Sequence, residues 1–190
     1  MLRIGESLPA VNLDLVAEPS KGSKEIPPPP PTPKEITTWE FFKGLRERVE
    51  KKYPELRPTK RREKPYWISF LTSVRGILVT ASFCKDRREY GLPGPHLRVE
   101  LWIDTGQKDR NKEILDSLHS SKNQIEEELG ERLVWERMDD RRASRIAVYK
   151  PGSIQDPEQH LEELKEWAVE EVAKLHKVFN PRLLQVAGRG

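Results

Sequence analysis

The most regular pattern in the chain is the alternation from Leu97 to Asp104. Leu97, Val99, Leu101 and Ile103 occupy one parity, and Arg98, Glu100, Trp102 and Asp104 the other. Successive side chains of a strand point to opposite faces, so this segment predicts a strand with one apolar and one polar side. Tyr66 to Leu71 and Gly76 to Phe83 are rich in aromatic and β-branched residues, and Ser73 to Gly76 between them is the size of a hairpin turn. Leu133 to Met138 and Ser144 to Tyr149 predict two more strands around the tight Asp139-Asp140-Arg141-Arg142 connection. The segment from Lys85 to His96 carries Gly91, Pro93, Gly94 and Pro95 and reads as a turn-rich loop.

Between and around these strands the period changes to that of a helix. Thr37-Thr38-Trp39-Glu40 fits a capping box, and Trp39, Phe42, Leu45 or Arg46, Val49 and Tyr53 follow at helical spacing up to Pro54. A second helix is predicted from about Lys108 or Arg110 to Leu129, with Ile114, Leu115, Leu118, Ile125 and Leu129 as its buried stripe and Gly130 as the left-handed residue after its end. Asp156-Pro157 opens a third, whose stripe runs through Leu161, Leu164, Ala168, Val172, Leu175 and Phe179 until Pro181 is expected to stop it. The order α-β-β-β-α-β-β-α with short connections predicts an α+β domain. Its antiparallel sheet of about five strands would have the helices packed on one face.

Residues 1–36 stand apart from this pattern. Val11, Leu13 and Leu15 alternate only briefly, and residues 1–18 read as the remnant of a preceding domain. Residues 19–36 hold Pro19, the run Pro27 to Pro31, and Pro33, which predicts a semi-rigid polyproline linker. The α+β domain then spans residues 37–184, with 185–190 as a tail.

Composition excludes several classes. Charged residues make up 34% of the chain and mean hydropathy is -0.76; no apolar run approaches the ~20 residues of a membrane helix. The start lacks an apolar stretch of the ~7 residues that a secretory signal needs. Cys84 is the single cysteine, so neither an intrachain disulfide nor a thiolate metal site can form, and a reducing, cytoplasmic setting is expected. No phosphate-binding loop, dinucleotide fingerprint or nucleophile elbow is present, and His96, His119, His160 and His176 have no metal-ligand spacing. The only matches to a nuclease-like D/E-x-K are Glu50-Lys51-Lys52 and Glu163-Leu164-Lys165, both on predicted helices. Neither a catalytic centre nor a metal or cofactor is therefore expected in this chain.

Charge is informative once it is located. The total is only +3, yet Lys51 to Lys64 holds seven basic residues against Glu55 and Glu63, a local +5. Asp156 to Glu171 holds seven acids against Lys165, a local −6. Arg57, Lys60, Arg61, Arg62 and Lys64 precede Tyr66 and Trp67, a pairing of phosphate-seeking cations with stacking rings, and Arg141 and Arg142 add to it from another loop. The alternative is a solvated basic loop. A second candidate is the polar strand face of Arg98, Glu100, Trp102 and Asp104, joined by Arg137 and Arg145 from the later strands. Cross-strand ion pairs alone would account for these charges, whereas a tryptophan in their midst points to a contact surface.

The residues also carry a resemblance. Leu97 to Asp104 is followed by Asn111-Lys112, by Lys122-x-x-Ile125-Glu126, and by Leu133-Val134-Trp135-Glu136-Arg137. Then come Arg142-Ala143-Ser144-Arg145-Ile146-Ala147, Pro151-Gly152-Ser153-Ile154, Trp167 and Phe179-x-Pro181-Arg182. From Thr38 to Leu184 the chain resembles a prokaryotic family of domains of unknown function, number 4268. The resemblance implies a context: such domains often follow a part that looks like a PD-(D/E)XK nuclease, and Leu2 to Ala10 looks similar to the segment that closes it. The expected function is that of an accessory nucleic-acid-binding or target-recognition domain, with DNA favoured over RNA and a nuclease domain or subunit as partner. The alternative is a protein-interaction or oligomerisation module using the acidic last helix and Trp102.

Overall fold

The computed structural model describes residues 30–60 and 65–187, and Pro31 onward forms one compact unit. The first helix, α1, spans Pro33–Lys52. Three strands follow, β1 (Trp67–Leu71), β2 (Ile77–Cys84) and β3 (His96–Ile103), the last two linked by a loop with a short 3-10 turn at Arg88–Tyr90. Helices α2 (Lys108–His119) and α3 (Lys122–Leu129), strands β4 (Val134–Glu136) and β5 (Ser144–Pro151), and helix α4 (Glu158–Ala187) complete the chain. The sheet order is β1-β2-β3-β5-β4, and every neighbouring pair is antiparallel. The chain is thus the α+β domain that its patterning predicts.

Register explains why one face of the sheet is the core. Pairing Val79 with Leu101 and Ala81 with Val99 puts the apolar parity of β2 and β3 on one side, where Phe70 of β1 and Ile146 and Val148 of β5 join them. Phe42, Leu45 and Val49 of α1, Ile114 and Leu118 of α2, and Leu164, Val172, Leu175 and Phe179 of α4 close over that face. Each large apolar side chain fully withdrawn from water there contributes about 1.5–3 kcal/mol. The β1–β2 hairpin turns at Gly76, whose φ is 86°; a Cβ there would lie 2.6 Å from the Asp104 carbonyl oxygen, so only glycine fits.

Outside β1 the chain adds one more layer of pairing. Leu71 N–H donates to the Arg57 carbonyl (2.7 Å) and Thr59 N–H to the Ser69 carbonyl (2.9 Å), with Pro58 opposite Phe70. The segment 57–59 therefore runs along the free edge of β1.

Helix boundaries differ from the sequence reading in three places. The capping box lies a turn and more earlier, at Thr32 and Glu35, with Pro33 in the first turn, so α1 starts at Pro33 rather than Thr37. The long middle helix is broken at Ser120-Ser121, where the Ser120 hydroxyl donates to the Ser117 carbonyl (2.7 Å) and competes with the helical ladder. Pro181 does not end α4: Leu183 packs into the core at 1% exposure and carries the helix on past it. No helix among the described residues is long and apolar enough to cross a membrane.

Candidate functional site

The face of the sheet opposite the helices carries the polar parity of the strands. Arg98 and Glu100 of β3 lie two residues apart on it, and register places Arg145 of β5 opposite Trp102. Arg98 grips Glu100 with Nε (3.0 Å) and Nη2 (3.1 Å) and also donates to the Ser82 hydroxyl (3.0 Å). Arg145 pairs through Nε with the same Glu100 and reaches Glu136 of β4 with Nη1 (3.4 Å). Glu136 accepts from Arg87 Nη2 (2.6 Å) and from the Tyr149 hydroxyl (2.8 Å). The result is a continuous chain of ions, Arg98–Glu100–Arg145–Glu136–Arg87, laid across three strands.

This network is sunk in the surface. Glu100 is 4% exposed, Glu136 3% and Arg145 6%, although no helix covers them. Burial pushes the Glu100 carboxyl above the usual carboxylate range, against the pull of Arg98 and Arg145. Burial likewise raises the Tyr149 phenol, and its hydrogen bond to Glu136 adds to that. Cys84, at the end of β2, has its thiol pushed up by burial, so it has no enhanced reactivity.

Over the network sits a shallow depression of about 320 Å³, lined by Trp67, Ser69, Leu78, Thr80, Arg98, Glu100, Trp102 and Arg145. Its floor is polar and ordered, with the Thr80 hydroxyl donating to Ser69 (2.9 Å). Its rim is aromatic: Trp67 is 41% exposed, and the Arg145 guanidinium lies 5.3 Å from the centre of the Trp102 ring. A second cavity, at the β1 edge, shares Trp67 and Ser69 with the first and adds Lys43, Arg46, Thr59 and Lys60. A run of cations and rings thus leads from the edge of the sheet onto its open face.

The structure brings together Lys60, Trp67, Arg98, Glu100, Trp102 and Arg145. Arg57 is exposed on the outer edge segment, with its backbone held by Leu71. Arg61, Arg62 and Lys64 lie outside the described residues. The other expected members go elsewhere. Arg137 follows Glu136 with the parity of Trp135, on the helix side of the sheet, and clasps Asp116 of α2 with Nε (3.0 Å) and Nη2 (3.1 Å), with Asp139 on Nη1. Asp104 lies beyond β3, where Arg142 grips it at 2.8 and 2.7 Å and holds its carboxyl below the usual range. Arg141 is exposed beside Asp140. Arg137, Arg141 and Arg142 therefore form a self-neutralised cluster at the β4–β5 turn, on the far side of the sheet from residues 57–60. Sequence reasoning missed Glu136, Arg87 and Tyr149; the shared parity of Arg145 and Tyr149 was the available signal.

The acidic stretch is mostly consumed within the fold. Glu162 of α4 pairs with Arg48 of α1, and Glu170 pairs with Lys52 and accepts from the Tyr53 hydroxyl (2.7 Å). Between the two helices lies a groove of about 1000 Å³ in which such opposite charges face each other, with Lys150 over the Trp167 ring.

Several residues behind the resemblance prove to be structural. Lys112, 5% exposed, donates to the carbonyls of Arg137 (2.5 Å), Met138 (2.9 Å) and Ala143 (2.7 Å) and to the Ser144 hydroxyl (3.0 Å). Asn111 ties Thr105 to the Arg142 carbonyl, and Glu126 accepts from the Trp135 indole (3.0 Å). Among the described residues no group of three or more His, Cys, Asp or Glu is placed to hold a metal ion.

The sequence profile of the family described as Domain of unknown function (DUF4268) matches residues 38–183, and the chain belongs to that family. No curated protein and no solved structure matches it.

Proposed function

We propose that this chain is an accessory nucleic-acid-binding or target-recognition domain, with DNA its more natural partner, serving a nuclease supplied by another domain or subunit in the reducing cytoplasm of a prokaryote. The observation that carries the reading is the open sheet face, where Trp67, Arg98, Trp102 and Arg145 meet the cationic edge formed by Lys43, Arg46 and Lys60. Cations that neutralise phosphates release counterions, so binding must weaken as salt rises. The nuclease context comes from the family resemblance.

Fluorescence anisotropy with labelled DNA and RNA at two salt concentrations tests the reading. Salt-sensitive binding that loses both affinity and salt slope on neutralising Lys60, Arg61 and Arg62 supports it. Unchanged binding in that triple variant removes the basic segment from the interface. A second reading, a protein-interaction or oligomerisation module, is favoured by the apolar exposure of Trp67 and Leu71 (46%) on a sheet face that no helix covers. It requires concentration-dependent association that survives loss of the basic run.

A further inference from the structure

We infer that the strand form recognised is single, its bases stacking on Trp67 and Trp102 across the open face of the sheet; this rests on the nucleic-acid reading above and names its substrate. The face is too wide to read a duplex from within. From β1 to β4 there are four strand spacings, about 19 Å in all at ~4.8 Å each. The major groove is ~12 Å wide and admits a helix or a two-stranded ribbon. A single strand has no such constraint, since its unstacked bases can lie flat on a sheet and pair their π-faces with exposed rings.

The positions of the two rings suit successive stops rather than one clamp. Trp67 pairs with Ser82, level with Arg98, while Trp102 pairs with Leu78. Two strand spacings across and four residues along separate the two backbones by roughly 16 Å. Each ring therefore takes its own base. Arg98 stands level with Trp67 on β3 and Arg145 opposite Trp102 on β5, and their Nη1 and Nη2 respectively have no hydrogen-bond partner among the described residues. Their other nitrogens are held by Ser82, Glu100 and Glu136, so these two donors are presented in a fixed orientation toward a base edge or phosphate. Outward from Trp67, Lys43 and Lys60 are exposed and line the adjoining cavity, where the backbone of the same strand would run.

The test uses the full chain with labelled oligothymidylate and a hairpin duplex as probes. Trp67→Ala and Trp102→Ala are each expected to weaken oligothymidylate binding about 5- to 150-fold. Trp67→Tyr should restore most of the loss at its position, because a phenol ring still stacks. The double variant Lys43→Gln and Lys60→Gln should flatten the salt slope while leaving the stacking-induced quench of tryptophan fluorescence in place. Equal binding of oligothymidylate and duplex, with the tryptophan variants unaffected, overturns the inference but leaves a general nucleic-acid role standing. Binding of neither probe at low salt overturns both.

Discussion

Lys112 holds the carbonyl of Met138, the one non-glycine residue among those described whose φ is positive, at 52°. The left-handed conformation carries a steric cost for a side chain with a Cβ. Three carbonyls and a hydroxyl converge on the Lys112 ammonium and offset that cost, and burial lowers its pKa. Lys112→Met keeps the apolar stem but removes the donor these groups share, leaving the Met138 carbonyl only the Arg141 N–H and the Arg137 carbonyl only the Ser144 hydroxyl. It is expected to lower stability by about 3 kcal/mol in urea denaturation.

Glu100 is shared by Arg98 and Arg145, so its removal takes a carboxylate from two cations at once and leaves Arg145 only Glu136 and Arg98 only the Ser82 hydroxyl. Glu100→Ala should cost about 3–5 kcal/mol. Replacing Arg98, Glu100 and Arg145 together by apolar residues of similar volume should cost much less. Thermal melts of the two variants decide the point, and equal losses would show that the network stabilises the fold by more than mutual neutralisation.

Glu131, after α3, meets Glu171 of α4, with Lys174 bridging Glu171 at 2.6 Å. Burial and the neighbouring Glu171 carboxyl raise Glu131 from an ordinary 4.5 to about 7. A raised carboxyl binds its proton more tightly in the folded state, so its contribution is full below about 4.5 and is lost as pH rises through about 7. Glu131→Gln donates the same hydrogen bond without a proton to lose. The urea midpoint of the native chain, relative to that variant, should fall across this interval, and parallel curves would sink the assignment.

Pro181 sits inside α4 and supplies no N–H to the Lys177 carbonyl one turn back. The helix persists because Leu183 is buried and Arg182 anchors both the Val178 carbonyl (2.7 Å) and Glu128 (2.7 Å). Pro181→Ala should therefore stabilise the chain by about 1–3 kcal/mol, measured by chemical denaturation. A loss instead would mean that the proline ring itself helps to hold Leu183 in the core.

These features mark where the sequence was readable. The strict alternation of Leu97 to Asp104 placed β3 and its two faces, because period two over eight residues has no helical alternative. Proline punctuation misled at Pro181, since local propensity cannot register the tertiary burial of Leu183 two residues on. The site was half legible. Arg98, Glu100 and Arg145 follow from parity, whereas Asp104 fails because it lies one step past a strand end, where pairing no longer dictates direction, and Arg137 fails because it shares the parity of Trp135, on the helix side of the sheet. Glu136 and Arg87 depend on the register between β4 and β5 and on the path of the loop after β2, which are long-range facts. In the acidic stretch of α4, Glu162 and Glu170 are answered by Arg48 and Lys52 of α1, a pairing between helices that charge counting along the chain does not register.

The segment 57–59 along β1 changes how this sheet can meet other chains. An unpaired edge is a template on which a foreign strand can add by backbone hydrogen bonding. Here the edge of β1 is engaged on both kinds of group, its Leu71 N–H by the Arg57 carbonyl and its Ser69 carbonyl by the Thr59 N–H, and the outermost backbone presents Pro58, which has no N–H to offer. The opposite edge is β4, only three residues long. Sideways growth, whether into fibrils or onto an extended peptide, is closed at one border and curtailed at the other. What the sheet leaves open is its uncovered face, which presents side chains rather than backbone.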